Sequence, residues 1–288
     1  MATLPRLAAC ATLLAAAAPL PAAAPPPRAA TTPWVLDFGE SQCLASRDYG
    51  TPADPLTLAL KPSPYGDLME LVLLRKGSGS TLATEVPATI RIDERPPIAA
   101  TALVYRVRKD GPRLARARLP SGASSDLRGA RTLVFTARGE GEVSLAMGGT
   151  RSLMDEMDRC LASLQDHWNI SEARRAALRS STKGSLQGVF KSEDYPSEAV
   201  SGNSQGTSGV ALLIDQSGKV ADCTLTQTSG YPILDLQSCA KITQRARYTP
   251  AVGADGKPAR HAAVGRITWR LPGGSNSKPQ RSRSRSAW

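Results

Sequence analysis

The chain has 288 residues, 41% hydrophobic and 21% charged, which fits one large or two small globular domains. That balance excludes a disordered chain, a collagen-like repeat and a polytopic membrane protein. Thirty-six lysines and arginines against 25 acids give a formal net charge of +11, suited to nucleic acid, an acidic envelope polymer or an anionic membrane surface.

Residues 1–24 read as an export signal. Arg6 gives a positive start, Leu7 to Ala18 is an unbroken small and apolar run, and Pro19 and Pro21 break it before Ala22-Ala23-Ala24. The run is about 12 residues, short of the ~20 a spanning helix needs, so cleavage between 22 and 30 is expected over retention as a membrane anchor. Residues 25–33 follow as a Pro-rich spacer.

Residues 34–168 form a strand-rich domain in which no chemistry can be assigned. Its expected strands are Trp34–Phe38, Leu56–Leu60, Leu68–Leu74, Ala88–Ile92, Ala100–Val107, Arg131–Thr136 and Glu142–Met147, separated by Gly, Pro and Ser-Gly turns. The spacing predicts one helix over 152–167, with Leu153, Met157, Cys160, Leu161 and Leu164 on one apolar stripe. Cys160 then faces a core where Cys43 can meet it. Residues 169–189 are polar and basic and read as a linker, with an apolar cluster beginning at Leu186.

A second domain is expected over 190–272. An apolar run over 209–215 turns at Gln216-Ser217-Gly218 into a strand from Lys219 to Thr228, with Ala221, Cys223 and Leu225 on one face. A helix over 233–246 is expected to carry Leu236, Cys239, Ala240 and Thr243 on one side, so Cys223 and Cys239 share the sheet–helix interface. A last strand over 260–271 puts Ala263, Ile267, Trp269 and Leu271 inward and Arg266, Thr268 and Arg270 outward. The segment 273–288 has no periodicity and reads as a disordered basic tail. Loss of the signal removes Cys10 and leaves four cysteines, an even count that in an exported chain reads as two disulfides.

The ordered pieces Tyr195-Pro196-x-x-Ala199, Gly206, Gly209, Ile214-Asp215-x-x-Gly218-x-Val220, Ser229-Gly230-x-Pro232-x-Leu234-Asp235 and Arg247-Tyr248-x-Pro250-Ala251 resemble the C-terminal domain of the TonB family of periplasmic energy transducers. The resemblance implies an α+β chain: the strand-rich domain with its amphipathic helix, then a TonB-like unit of short helix, hairpin, helix and strand. It also implies a periplasmic protein, anchored in the inner membrane if the signal is uncleaved. The final strand would bind a segment of a TonB-dependent outer-membrane receptor by backbone pairing, with Val264, Arg266, Thr268 and Arg270 beside it. Tyr195, Pro196, Asp215, Gly218, Ser229, Gly230, Pro232, Leu234, Asp235 and Pro250 are expected to build the scaffold. A homodimer stays open as a further assembly. No His occurs in residues 1–30, which argues against engagement of the ExbB–ExbD motor, and Lys191-Ser192-Glu193-Asp194 replaces the family's Gln-Pro-Gln.

The rival readings are an enzyme and an envelope adhesin. The only histidines, His167 and His261, sit at a helix end and a strand start, and Asp37-Phe38-Gly39 and Asp215-Gln216-Ser217-Gly218 both miss the aspartic-protease triplet. No catalytic residue, metal or cofactor is expected. Seven basic residues and one acid between Lys241 and Arg270, with four more cations after it, suit binding to an acidic envelope polymer such as lipopolysaccharide or peptidoglycan. Few aromatics and export argue against nucleic acid.

Overall fold

The computed structural model describes residues 26–271 apart from 40–41, 67, 82, 107–109 and 121; the expected signal and the tail at 273–288 lie outside the described residues. Chain order in the first domain is β1 (Val35–Phe38), β2 (Cys43–Gly50), β3 (Pro55–Pro62), β4 (Leu68–Arg75), β5 (Thr84–Ile92), β6 (Ile98–Arg106), β7 (Arg113–Pro120), α1 (Ala123–Leu127), β8 (Thr132–Ala137), β9 (Gly141–Ala146) and α2 (Thr150–His167). The nine strands form one antiparallel sheet in the order β1-β2-β3-β4-β7-β6-β5-β8-β9. Residues 28–31, inside the stretch read as a spacer, connect its two ends. Arg28 donates its N–H to Ser144 O (2.8 Å) in front of β9, and Thr31 donates to Asp48 O (2.9 Å) on β2.

Alternation drives this sheet. Leu56, Leu58 and Leu60 on β3 and Met69, Leu71 and Leu73 on β4 point into one core with Ile90, Ile92, Leu133, Phe135 and Leu145. α2 packs onto that core through Leu153, Met154, Met157, Cys160 and Leu164. Met154, not Leu161, completes the stripe; Leu161 sits at its margin, partly exposed. The Cys43–Cys160 disulfide (S–S 2.02 Å) ties α2 to β2.

The second domain contains α3 (Glu172–Ala176), α4 (Ser197–Ser201), β10 (Gly206–Ile214), β11 (Val220–Gln227), α5 (Pro232–Arg245), the short pair β12 (Ala251–Val252) and β13 (Pro258–Ala259), and β14 (His261–Trp269). Its antiparallel sheet has the order β11-β10-β14. Even-numbered β10 residues Val210, Leu212 and Ile214 face α5 with Leu234 and Ile242. Odd-numbered Ala211 and Leu213, with Ala262 of β14, join the core of the first domain. The sheet is therefore covered on one face by α5 and on the other, at Ala211, Leu213 and Ala262, by the first domain, while β14 from Val264 onward stays exposed on that second face.

The expected helix face on α5 is corrected. Leu236 is 69% exposed and Ala240 and Thr243 are exposed, whereas Leu234, Asp235, Ser238 and Ile242 are buried. The polar Asp235 and Ser238 go inside because they meet buried hydrogen-bonding partners there. Cys239 still reaches Cys223 (S–S 2.06 Å). The linker is held as well: Lys183 and Thr249 exchange two backbone bonds of 3.0 and 2.7 Å, and Val252 donates to Ser180 O at 3.0 Å.

Both disulfides close loops of the unfolded chain, over sequence separations of 117 and 16 residues. In the chain-entropy treatment they contribute about 5 and about 3 kcal/mol. Non-reducing peptide mapping of the mature protein should recover Cys43–Cys160 and Cys223–Cys239, and Cys43→Ser should cost more stability than Cys223→Ser in denaturant titration. A Cys160–Cys223 peptide would contradict this arrangement.

Candidate partner-binding site

The site is the outer edge of β14. Its alternation sets Ile267 and Trp269 inward, both buried, while Val264, Arg266, Thr268 and Arg270 are exposed. Val264 is 71% exposed, an unusual position for a β-branched apolar side chain. β10 pairs with β14 along its whole length, Gly206 opposite Trp269 through Ile214 opposite His261. No strand pairs with its other side among the described residues.

A cleft of about 640 Å³ runs along that open side. One wall is β14 from Val264 to Arg270; the other is the strap at 184–192 with Tyr195 and Tyr248. Two glycines set the strap's distance. A Cβ on Gly265 would stand 2.5 Å from Leu186 Cδ1, and one on Gly184 would stand 2.2 Å from the Tyr248 ring. A side chain at either position would force Leu186 or the Tyr248 ring to shift.

Trp269 anchors the strand beneath the cleft. Phe190 and Tyr195 meet its ring edge-on at centroid distances of 5.3 and 5.2 Å. Its indole N–H donates to Ser238 Oγ (2.9 Å), and the Ser238 hydroxyl lies 3.2 Å from Ser208 Oγ. Ser208 Oγ donates to Asp235 Oδ1 (2.7 Å), which also accepts from the Ser229 N–H (2.8 Å), while Thr228 Oγ1 donates to Oδ2 (2.5 Å). The motif residues Ser229, Leu234 and Asp235 thus belong to one buried network or the core around it. Pro232 opens α5 at its first turn, and Gly230 takes a positive φ of 89° in the turn before it. Asp215 accepts N–H bonds from Ser217 (2.8 Å) and Lys219 (3.0 Å) and shapes the β10–β11 turn. Burial opposes its ionisation, but these bonds outweigh it and hold the carboxyl below its usual range. Gly218 has φ +81°, and a Cβ there would stand 2.1 Å from Tyr248 O, next to Pro250. Tyr195 donates to Ser204 O (2.5 Å), and Pro196 leads directly into α4.

One residue of this arrangement escaped sequence reasoning. Asp194, in the segment that departs from the family's Gln-Pro-Gln, is buried and accepts from both guanidinium N–H groups of Arg245 (2.5 and 3.0 Å). It also accepts from the Lys191 N–H (2.8 Å) and pairs with Lys241 Nζ (3.1 Å). The Arg245 bonds hold its carboxyl far below the usual range, against the opposing effect of burial. This pins the strap's end to α5. The available signal was the i, i+4 spacing of Lys241 and Arg245, which puts two cations on one helix face.

Neither histidine enters the cleft lining. His167 Nε2 lies 3.0 Å from Arg260 Nη1, and His261 opens β14 opposite Ile214. Burial pushes the His261 imidazole pKa down, and the Arg175 charge acts in the same direction.

An antiparallel sheet backed by α5, with one bare edge and a cleft along it, has the geometry that strand addition requires. Residues 191–271 match the family described as Gram-negative bacterial TonB protein C-terminal, and this part of the chain is a TonB family C-terminal domain. Such a domain implies an envelope-associated protein. Searches of curated proteins and of solved structures found no match. No helix among the described residues is long and apolar enough to cross a membrane.

Asp194→Ala leaves Lys241 and Arg245 facing each other without their anion, and should cost about 2–3 kcal/mol, less than a fully buried pair because both cations keep access to water. The carboxyl is depressed in the folded state, so its contribution is complete above an unfolded value of about 3.9 and fades as pH falls below it. Denaturant titrations should therefore show wild type and variant converging between about pH 5 and pH 2. A constant gap across that range would assign the loss to packing instead of charge.

Proposed function

We propose that the chain is a periplasmic TonB-like protein that works by binding, not catalysis. β14 pairs with an extended segment of an outer-membrane receptor, supporting transport across the outer membrane. The observation that carries this reading is the unpaired side of β14 beside a cleft, within a TonB family C-terminal domain. Backbone N–H and C=O groups along a strand edge gain a full ladder when a partner strand lies against them. The residues around Trp269 hold the template in place, and Ala211, Leu213 and Ala262 pack into the first domain's core. Neither histidine lines the cleft, and the proposed binding assigns a role to neither.

A second reading has its own observation. Arg266 and Arg270 are exposed on the same strand, which suits a repeating anionic polymer such as lipopolysaccharide or peptidoglycan. The two readings separate on backbone pairing. Val264→Pro removes an edge donor and blocks a ladder. It should abolish capture of peptides from receptor N-termini, measured by fluorescence titration of the full chain, with circular dichroism confirming an intact fold. Unchanged binding by a folded Val264→Pro variant would overturn strand addition and leave the polymer reading in its place.

A further inference from the structure

This inference rests on the strand-addition reading and specifies what the added segment is made of. No Asp or Glu lines the β14 cleft, whereas Lys191, Arg266 and Arg270 do. Lys191 has a loose exposed contact with Glu193 at 3.7 Å. Arg266 and Arg270 take part in no ion pair among the described residues. Eight other arginines of the described chain, Arg28, Arg75, Arg95, Arg113, Arg116, Arg128, Arg159 and Arg245, each hold a carboxylate at 3.0 Å or less, while others such as Arg47, Arg131 and Arg179 take part in no ion pair among the described residues. What sets Arg266 and Arg270 apart is their position: two guanidiniums four residues apart along the open edge of β14, beside a cleft with no acid in its lining.

The cleft is also bounded. At the start of β14 the Arg260 carbonyl already accepts from Asn169 Nδ2 (2.6 Å), so the domain junction closes that end. The strap closes the inner side through Leu186 and Phe190. What remains open is the run Val264 to Arg270, whose exposed side reads apolar, basic, polar, basic. A strand laid against it has alternate residues on each side. Those on the exposed side meet Arg270, Thr268, Arg266 and Val264 in turn, as cross-strand neighbours.

We propose that the cleft takes a short, acidic, extended segment of a separate protein, with carboxylates at i and i+4 against Arg270 and Arg266 and an apolar residue at i+6 against Val264. The chain's own ends do not qualify, because neither 1–25 nor 272–288 contains an Asp or Glu. A second copy does not qualify either, since edge-to-edge pairing of two β14 strands gathers four arginines on one short face.

The test titrates the full chain with three short peptides of equal strand propensity: one with Glu at i and i+4, one with Gln at both, and one with both Glu residues moved by a single position. The first should bind about tenfold tighter than the Gln peptide near 20 mM salt, the sum of two exposed ion pairs, with the gap narrowing near 200 mM. The shifted peptide turns its carboxylates toward the strap and should lose that advantage. Arg266→Gln with Arg270→Gln should bring all three peptides together. Equal binding of the Glu and Gln peptides overturns the acidic assignment while leaving strand addition standing. Equal binding of the original and shifted Glu peptides shows that β14's exposed side does not read the charges and overturns it too. If no peptide binds while lipopolysaccharide or peptidoglycan fragments do, the strand-addition reading fails with it.

Discussion

For the proposed strand addition, β14 must be held firmly on one side and left bare on the other, and Trp269 is the side chain that holds it. Its ring is packed edge-on by Phe190 and Tyr195, and its N–H enters a buried chain of hydroxyls that ends on Asp235. Every polar group in that chain has a partner, which is the condition under which a buried polar network gives rigidity instead of cost. The same carboxylate takes the Ser229 N–H, so the turn ahead of α5 and the anchor beneath the cleft are fixed by one group. None of these contacts uses the outer backbone of β14. The strand is immobilised through its side chains, and its main chain stays free for pairing.

The first domain changes the meaning of that edge. A three-stranded sheet with one helix leaves its second face to water or to another molecule. Here Ala211, Leu213 and Ala262 present an apolar surface that joins the first domain's core. Asn169 on the Arg260 carbonyl and His167 beside the Arg260 guanidinium join the two units just before β14 begins. The consequence is directional. On the proposed strand addition, a segment laid against β14 has free edge on the side away from the junction, where Arg260 is already engaged.

How much of this was legible depended on how the sequence encoded it. β10, β11, α5 and β14 were readable because their apolar alternation and turn residues agree with the fold at every level. β2 and β7 were not. β7 carries Arg-Leu-Ala-Arg-Ala-Arg-Leu-Pro, and its inward residues Ala115 and Ala117 have little strand preference, so the Arg/Ala alternation looks like a solvated segment. β2 places Arg47 and Asp48 mid-strand, where they are held by Thr32 and Thr57 instead of by apolar neighbours. The α5 face failed for a different reason. Leu236 and Thr243 fit a stripe better than Asp235 and Ser238 do, and only the three-dimensional network explains why the polar pair goes inside. At the site itself, the exposed side of β14 followed directly from period two. The strap, the two contact glycines and Asp194 depend on contacts between segments that the sequence does not show as related.

The charge balance carries the last step. A net charge of +11 spread over a surface would describe solubility and little else. In the first domain, residues 34–168, cations and acids are equal in number, and several pair internally: Glu140 is held between Arg75 and Arg113, Glu70 by Arg116, and Asp155 and Asp158 share Arg128. Near α5 the same economy holds, with Lys241 and Arg245 both on Asp194. The excess is thereby concentrated on β14 and on the residues that follow it in sequence, where Lys278, Arg281, Arg283 and Arg285 lie. A field concentrated beside a bare strand edge raises the rate at which an oppositely charged segment arrives, while the backbone ladder sets how long it stays. On the proposed strand addition, encounter and retention fall to different atoms: guanidiniums on the strand's exposed side, amides and carbonyls along its edge.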